Sequence, residues 1–121
     1  MMFNFEKLET WHKAIEFADG VYGITESFPE TKRFGLTSQL RRTAVSVSAN
    51  IAEGSSRSSH QDFIRFLEIA TGSLFEVVSQ LKIARNQKFL VEPDYRQLCS
   101  LAEELVRMLS GLRKSLRKSP A

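Results

Sequence analysis

Apolar side chains recur at intervals of three and four residues along four segments, the spacing that places them on one face of an α-helix. The pattern predicts helices at about residues 8–27, 34–53, 60–86 and 94–117. The core-facing positions expected in the first two helices are Leu8, Trp11, Ile15, Ala18, Tyr22 and Thr25, then Leu36, Leu40, Ala44, Val47 and Ile51. Those expected in the last two are Phe63, Phe66, Leu67, Ala70, Leu74, Val77, Leu81 and Ala84, then Leu98, Leu101, Ala102, Leu105, Met108, Leu109, Leu112 and Leu116.

The breaks between these segments carry residues that end or begin helices. Pro29 disfavours helical geometry at the residue before it, Ser59 is a suitable N-cap, and Pro93 suits a first helical turn. Gly54 is interpreted as the C-terminal cap of the second helix. Gly72 falls inside the third helix, where glycine costs about 1 kcal/mol relative to alanine, so a close helix–helix contact is expected there.

Four helices of similar length joined by short connections favour one architecture. We expect an all-α fold, an antiparallel up-down-up-down four-helix bundle. A chain of 121 residues fits a single domain, residues 1–121, and no linker-like composition marks a second one.

Composition narrows the class of protein. One cysteine excludes an internal disulfide framework. The N-terminus lacks the pattern of a signal peptide, and no apolar run approaches the ~20 residues of a membrane helix, so a cytoplasmic protein without membrane contact is expected. The net charge of +3 is compatible with an anionic partner but does not require one.

The second and third helices contain strings that resemble a known family. They are Phe34-Gly35-Leu36, residues 39–54 (QLRRTAVSVSANIAEG) and residues 66–74 (FLEIATGSL), with Leu8, Trp11, Ala14, Val21-Tyr22 and Phe28-Pro29 in the first helix. The chain resembles the bacterial four-helix-bundle proteins encoded in intervening sequences of 23S rRNA genes. The resemblance covers roughly the first three helices.

The resemblance implies a bundle of this length that assembles into a homo-oligomeric ring, often a pentamer. The family is in turn similar to accessory proteins of diversity-generating retroelements, which are basic pentamers that bind reverse transcriptase and nucleic acid. No enzymatic activity and no cofactor are implied.

A polar set lies within the matched strings. Asn50 and Glu53 fall beside the apolar stripe of the second helix, while Glu76 and Gln80 share a face of the third. If these helices are adjacent, a network can join Asn50 or Glu53 to the third helix, with an arginine nearby. The favoured interpretation is a structural or subunit-interface network; a binding site or a catalytic site are the alternatives.

Metal binding and catalysis find little support. His12 and His60 are expected to be ordinary surface residues, and no Glu-x-x-His motif accompanies Glu53 and Glu76. Cys99 is expected to be a small buried hydrophobe. We therefore expect no catalytic residue, no metal and no cofactor, and predict that the protein is not an enzyme.

Basic residues supply the candidate binding surface. Arg41 and Arg42 follow Lys32 and Arg33 at the start of the second helix, and Arg57 lies in the next turn. The C-terminal segment adds Arg107, Arg113, Lys114, Arg117 and Lys118, with no acidic residue from 107 onward. The candidates for nucleic-acid contact are Arg41, Arg42, Arg57, Arg113, Lys114, Arg117 and Lys118; a solvated face is the alternative.

Two functions follow from these features. One is an oligomeric bundle that contacts ribosomal RNA or another nucleic acid through basic surfaces. The other is a scaffold for a protein partner, indicated by apolar residues expected outside the main stripes. These are Phe17, Val45, Ile64, Ile69, Val78, Ile83 and Val106.

Overall fold

The computed structural model describes residues 2–119, which form four long α-helices. They are α1 (Glu9–Thr25), α2 (Ser38–Ser55), α3 (His60–Asn86) and α4 (Glu92–Lys118). Short 3-10 turns cover Asn4–Lys7 and Glu30–Lys32, and a π-helical turn, Arg33–Thr37, leads into α2. These described residues contain no β-strand, and none of their helices is long and apolar enough to cross a bilayer. The all-α prediction is confirmed.

Helices that follow one another in sequence pack side by side in opposite directions. Contacts that pair the end of one helix with the beginning of the next are Thr25 with Arg41, Gly54 with Phe66 and Arg85 with Glu92. α4 then packs against α1, where Lys13 lies 3.5 Å from Glu104. This is the predicted up-down-up-down four-helix bundle.

The interior is apolar and receives side chains from all four helices. The largest fully buried ones are Phe17, Leu40, Ile51, Leu67, Leu74, Leu81, Leu105 and Leu109, with Val21, Val47 and Val77. The stripes predicted for α2, α3 and α4 supply most of them. Burial of each large side chain contributes about 1.5–3 kcal/mol, which makes these stripes the main source of stability.

The buried face of α1 overlaps the predicted one only in part, at Ala18 and Thr25. Ala14, Phe17 and Val21 are fully buried, while Tyr22 is 44% exposed and Trp11 and Ile15 are half-buried. The expectation that Phe17 lies outside the core was therefore wrong. Because α1 packs against both α2 and α4, its buried arc is centred on the residues that face both neighbours, and the predicted stripe lies at the edge of that arc.

Two glycines were misassigned. Gly54 lies inside α2, and a Cβ there would come within 2.8 Å of Phe66 Cβ and 2.9 Å of Phe63 Cδ1. It permits close packing of α2 against α3 and is not a C-terminal cap. At Gly72 a Cβ would meet no atom within 4 Å, so the close contact expected there is absent within residues 2–119.

Capping at the start of α3 was predicted correctly. The Asp62 backbone N–H donates to Ser59 Oγ at 3.1 Å, which satisfies one of the free N–H groups of the first turn. Pro93 occupies the first turn of α4, again as predicted.

Candidate nucleic-acid interface

The last turns of α4 carry an exposed basic face. Arg107, Lys114 and Lys118 recur at intervals of seven and four residues, which places them on one side of the helix. All three are exposed, and no carboxylate within residues 2–119 lies within 4.0 Å of their charged groups. We call these three residues the basic face of α4.

Arg113 and Arg117 lie beside this face but turn toward α3. Their guanidinium groups are 3.9 and 3.7 Å from the same Glu68 carboxylate. The Arg113 side chain is only 23% exposed, and its Nε has no hydrogen-bond partner among the described residues. One carboxylate shared by two guanidinium groups leaves positive charge at the seam between α3 and α4.

Arg57 lies at the same end of the bundle and makes local contacts. Its guanidinium donates to Glu53 Oε2 at 2.6 Å and lies 4.7 Å from the centre of the Phe66 ring. Arg65 approaches that ring at the same distance. These contacts hold the turn between α2 and α3 against the start of α3. The Arg57 guanidinium therefore already has partners within the protein.

Arg41 and Arg42 lie at the opposite end, so the predicted basic residues form two separate surfaces. Arg41 Nε donates to Thr25 Oγ1 at 2.8 Å, and its guanidinium stacks 4.7 Å from the centre of the Tyr22 ring. Arg42 is exposed. Both line an open groove of about 440 Å³, whose walls also include Tyr22, Arg33 and Phe34. Thr37 and Ser38 complete its walls, and we call it the aromatic–arginine groove.

The two aromatic rings of this groove were missed by the sequence reasoning. The sequence pattern predicts Tyr22 in the core of α1 and Phe34 in the first turn of the second helix. The structure leaves Phe34 90% exposed, because non-helical dihedral angles at Gly35 (φ −112°, ψ −105°) break the chain before α2. The sequence does contain a signal for this exposed ring. Phe34 lies between a basic residue, Arg33, and a glycine, Gly35, which permits non-helical dihedral angles.

The predicted polar set divides into two parts. Gln80 Nε2 donates to Glu76 Oε2 at 3.4 Å and to Gln39 Oε1 of α2 at 3.3 Å, so a link between α2 and α3 does form. Asn50 donates to the Ser46 carbonyl at 2.7 Å, and Glu53 accepts from Arg57. Those last two residues therefore bond within α2 and its turn, and the expected connection from them to α3 is not made.

An apolar groove of about 400 Å³ runs between α3 and α4. Phe75, 58% exposed, lies on one wall, and Tyr95, Cys99 and Val106 line the other. Cys99 is half-buried and not a core residue, contrary to expectation. Its thiol raises the pKa of the Tyr95 phenol, and burial of the phenol adds to the effect.

Both histidines hold backbone segments in place. His12 Nε2 lies 2.8 Å from the Glu6 carbonyl, and His60 Nδ1 lies 3.2 and 2.9 Å from the Leu116 and Ser119 carbonyls. The second set of contacts joins the start of α3 to the end of α4. Across the described part of the chain, no group of three or more His, Cys, Asp and Glu side chains is arranged to hold a metal ion.

Comparison with known proteins identifies relatives by sequence and by structure. The model of one family, described as 23S rRNA-intervening sequence protein, matches residues 6–111. The chain is also similar to a crystal structure from Bacteroides thetaiotaomicron VPI-5482, a protein of unknown function from the S23 ribosomal protein family, with 26% identity and a TM-score of 0.77. That similarity covers 87% of this chain and 98% of the other. No curated protein matches in sequence.

Proposed function

Since the chain belongs to the family of 23S rRNA-intervening sequence proteins, we propose that it is a non-enzymatic, homo-oligomeric bundle that binds RNA through its basic surfaces. The observation that carries this proposal is the basic face of α4, three exposed cations that have no carboxylate of residues 2–119 within 4.0 Å of their charged groups. A ribosomal RNA partner is consistent with the name of the family, and on that basis we propose a cytoplasmic location.

The spacing of these cations suits a phosphate backbone. Arg107 and Lys118 are eleven residues apart, which is roughly 16 Å along a helix. Such a row can neutralise several phosphates without reading base edges, so the affinity is expected to fall steeply with salt. In a ring of identical subunits the row repeats, and the potentials of the copies add.

Association between copies is supported by two exposed apolar residues on the outer face of α3, a face on which Glu76 also lies. Ile69 and Ile83 are 43% and 50% exposed and share the outer face of α3 with Gly72, where a side chain would meet nothing inside the protomer. Glycine between two exposed isoleucines permits a second helix to approach closely. A subunit contact accounts for all three residues.

The proposal is tested by fluorescence anisotropy with a labelled hairpin fragment of 23S rRNA at low ionic strength. The variant is Arg107→Gln with Lys114→Gln and Lys118→Gln. These residues are exposed, and changing them preserves the buried face of α4, whereas truncation after Ser110 would remove the half-buried Leu112 and Leu116. The control removes the same charge elsewhere, at Lys7, Lys82 and Lys88, all of them exposed and none of them on α4.

We expect the α4 variant to bind the hairpin roughly tenfold more weakly or worse, because three phosphate contacts are lost. The control should stay within about threefold of the wild type, because net charge alone acts weakly at a distance. Wild-type protein that fails to bind at low salt, or equal losses in the two variants, would refute the proposal.

A protein-interaction scaffold is the second candidate function, and the apolar groove between α3 and α4 favours it. Its walls are mainly apolar, and the exposed Phe75 ring is of the kind that anchors protein interfaces. This function requires no nucleic acid, and it becomes the better proposal if RNA binding fails in the experiment above.

A further inference from the structure

We infer that the aromatic–arginine groove binds unpaired nucleotides of a single nucleic-acid strand, stacking bases on its rings and pairing phosphates with its arginines. The inference rests on the proposed RNA binding and assigns to it a second contact, at the opposite end of the bundle from the basic face of α4. Four observations support it: the exposure of one ring, the charge of the walls, the ring–guanidinium geometry and an unpartnered hydroxyl.

Phe34 is the most exposed large hydrophobic residue in the described part of the chain, at 90%. The ring stands on the π-helical turn before α2, outside the packed interior. Leaving a phenylalanine in water forgoes the free energy of its burial, so a ligand that covers the ring gains that contribution.

The charge of the groove indicates what kind of ligand this is. Three arginines, Arg33, Arg41 and Arg42, line it, and no carboxylate does. Arg33 is paired with Glu30 at 3.2 Å on the rim, but both side chains are mostly exposed, and such surface pairs are readily exchanged for a phosphate. An uncharged apolar anchor from a protein would desolvate these guanidinium groups without compensating their charge.

Rings and guanidinium groups in the groove are already arranged as stacking surfaces. The Arg41 guanidinium lies 4.7 Å from the Tyr22 ring centre, and the Arg33 guanidinium lies 5.7 Å from the Phe34 ring centre. Unpaired bases stack on aromatic rings and on arginine planes, while bases within a duplex are already stacked on each other. The groove therefore favours single-stranded nucleotides over duplex.

A hydroxyl group beside the groove is also without a partner. Thr37, which lines the groove, is 6% exposed, and its Oγ1 makes no hydrogen bond with the described residues. Ser38 follows it on the same wall. A small adjustment on binding would let these hydroxyls reach a phosphate or a ribose.

The test compares Phe34→Ala with Phe3→Ala, which removes another exposed ring (59%) far from the groove, at the α1 N-terminal end of the bundle. Anisotropy is measured with labelled twelve-nucleotide single-stranded RNA, the same sequence as single-stranded DNA, and the RNA duplex. Far-ultraviolet circular dichroism checks that both variants fold, as expected for substitutions at exposed positions. A second variant, Arg42→Gln, tests the phosphate contact with the rings intact.

We expect Phe34→Ala to weaken binding of single-stranded RNA at least about fivefold, the lower bound for one lost stacking contact, with duplex binding nearly unchanged. Loss with both the RNA and the DNA strand supports a site for nucleotides in general, and loss with RNA alone supports a site that also contacts ribose. If the wild type binds the duplex and the two phenylalanine variants bind single-stranded RNA with equal affinity, this inference is overturned. The proposed function would still stand in that case. Failure of the wild type to bind any of the three probes would overturn both.

Discussion

Tyr95 and Cys99 lie one turn apart on α4, on the wall of the apolar groove between α3 and α4. The neighbouring Cys99 side chain raises the pKa of Tyr95 above its ordinary value of 10.0, and burial of the phenol raises it further. The folded chain therefore holds the phenolic proton more tightly than the unfolded chain does. The stability that this contributes is complete below pH 10 and is lost as the pH rises through the folded-state pKa.

This pair gives a prediction at the scale of single residues. The chain has two tyrosines, so a Tyr22→Phe background leaves Tyr95 as the only one that titrates. In that background, ultraviolet absorbance of the ionised phenol should show a titration midpoint above the ordinary value. Adding Cys99→Ala should lower the midpoint toward that value. An unchanged midpoint would show that the thiol does not act on Tyr95.

At the scale of helices, the contact between α2 and α3 depends on one glycine. Gly54 has no side chain where Phe66 Cβ and the Phe63 ring approach α2. Gly72 of α3 is also helical, but its surroundings within the protomer are open. The two positions therefore should respond oppositely to the same substitution.

Gly54→Ala should destabilise the protein by about 1–3 kcal/mol. The new methyl group would be too close to Phe66 Cβ, an atom that cannot move without moving the backbone of α3. In the Ile69→Asp, Ile83→Asp background, which removes the proposed subunit contact at this face, Gly72→Ala should stabilise the helix by up to about 1 kcal/mol, because alanine has the better helix propensity. Denaturant unfolding, monitored by circular dichroism, measures both. A Gly54→Ala variant as stable as the wild type would contradict the packing described here.

Sequence periodicity predicted the helices and the faces of α2, α3 and α4, because each of these helices has one dominant apolar stripe. It predicted the position of α1 but not its buried face. Apolar residues occur on two adjoining faces of that helix, and only the packing of the neighbouring helices decides which face is buried. Two of the three residues of the basic face of α4, Lys114 and Lys118, were among the predicted candidates, because their spacing lies within one helix; Arg107 was not. The aromatic–arginine groove could not, because it depends on the break at Gly35 and on antiparallel packing, which brings Tyr22 beside Arg41.

At the scale of the whole molecule, the bundle presents different surfaces at different places. One end carries the basic face of α4, and the other carries the aromatic–arginine groove. Between these two ends, the outer face of α3 carries Ile69, Gly72 and Ile83. An assembly through α3 would leave both proposed nucleic-acid surfaces accessible and would repeat each of them in every copy.

Assembly is tested by light scattering at micromolar concentration. The wild-type protein should have a mass of at least two copies of the 13.8 kDa chain. Ile69→Asp combined with Ile83→Asp should reduce that mass, because charge in an apolar interface is costly. The control, Val91→Asp, changes a residue that is 62% exposed and lies off this face. A wild-type monomer would contradict the proposed association.

The central claim is that this bundle binds RNA through phosphate contacts on α4, and the most direct measurement is the dependence of hairpin affinity on salt. We predict a steep linear fall of log K with log salt for the wild type. The slope should be shallower by about three in the Arg107, Lys114 and Lys118 variant, since each lost phosphate contact removes about one. A flat dependence in the wild type, or the same slope in both proteins, would contradict the claim.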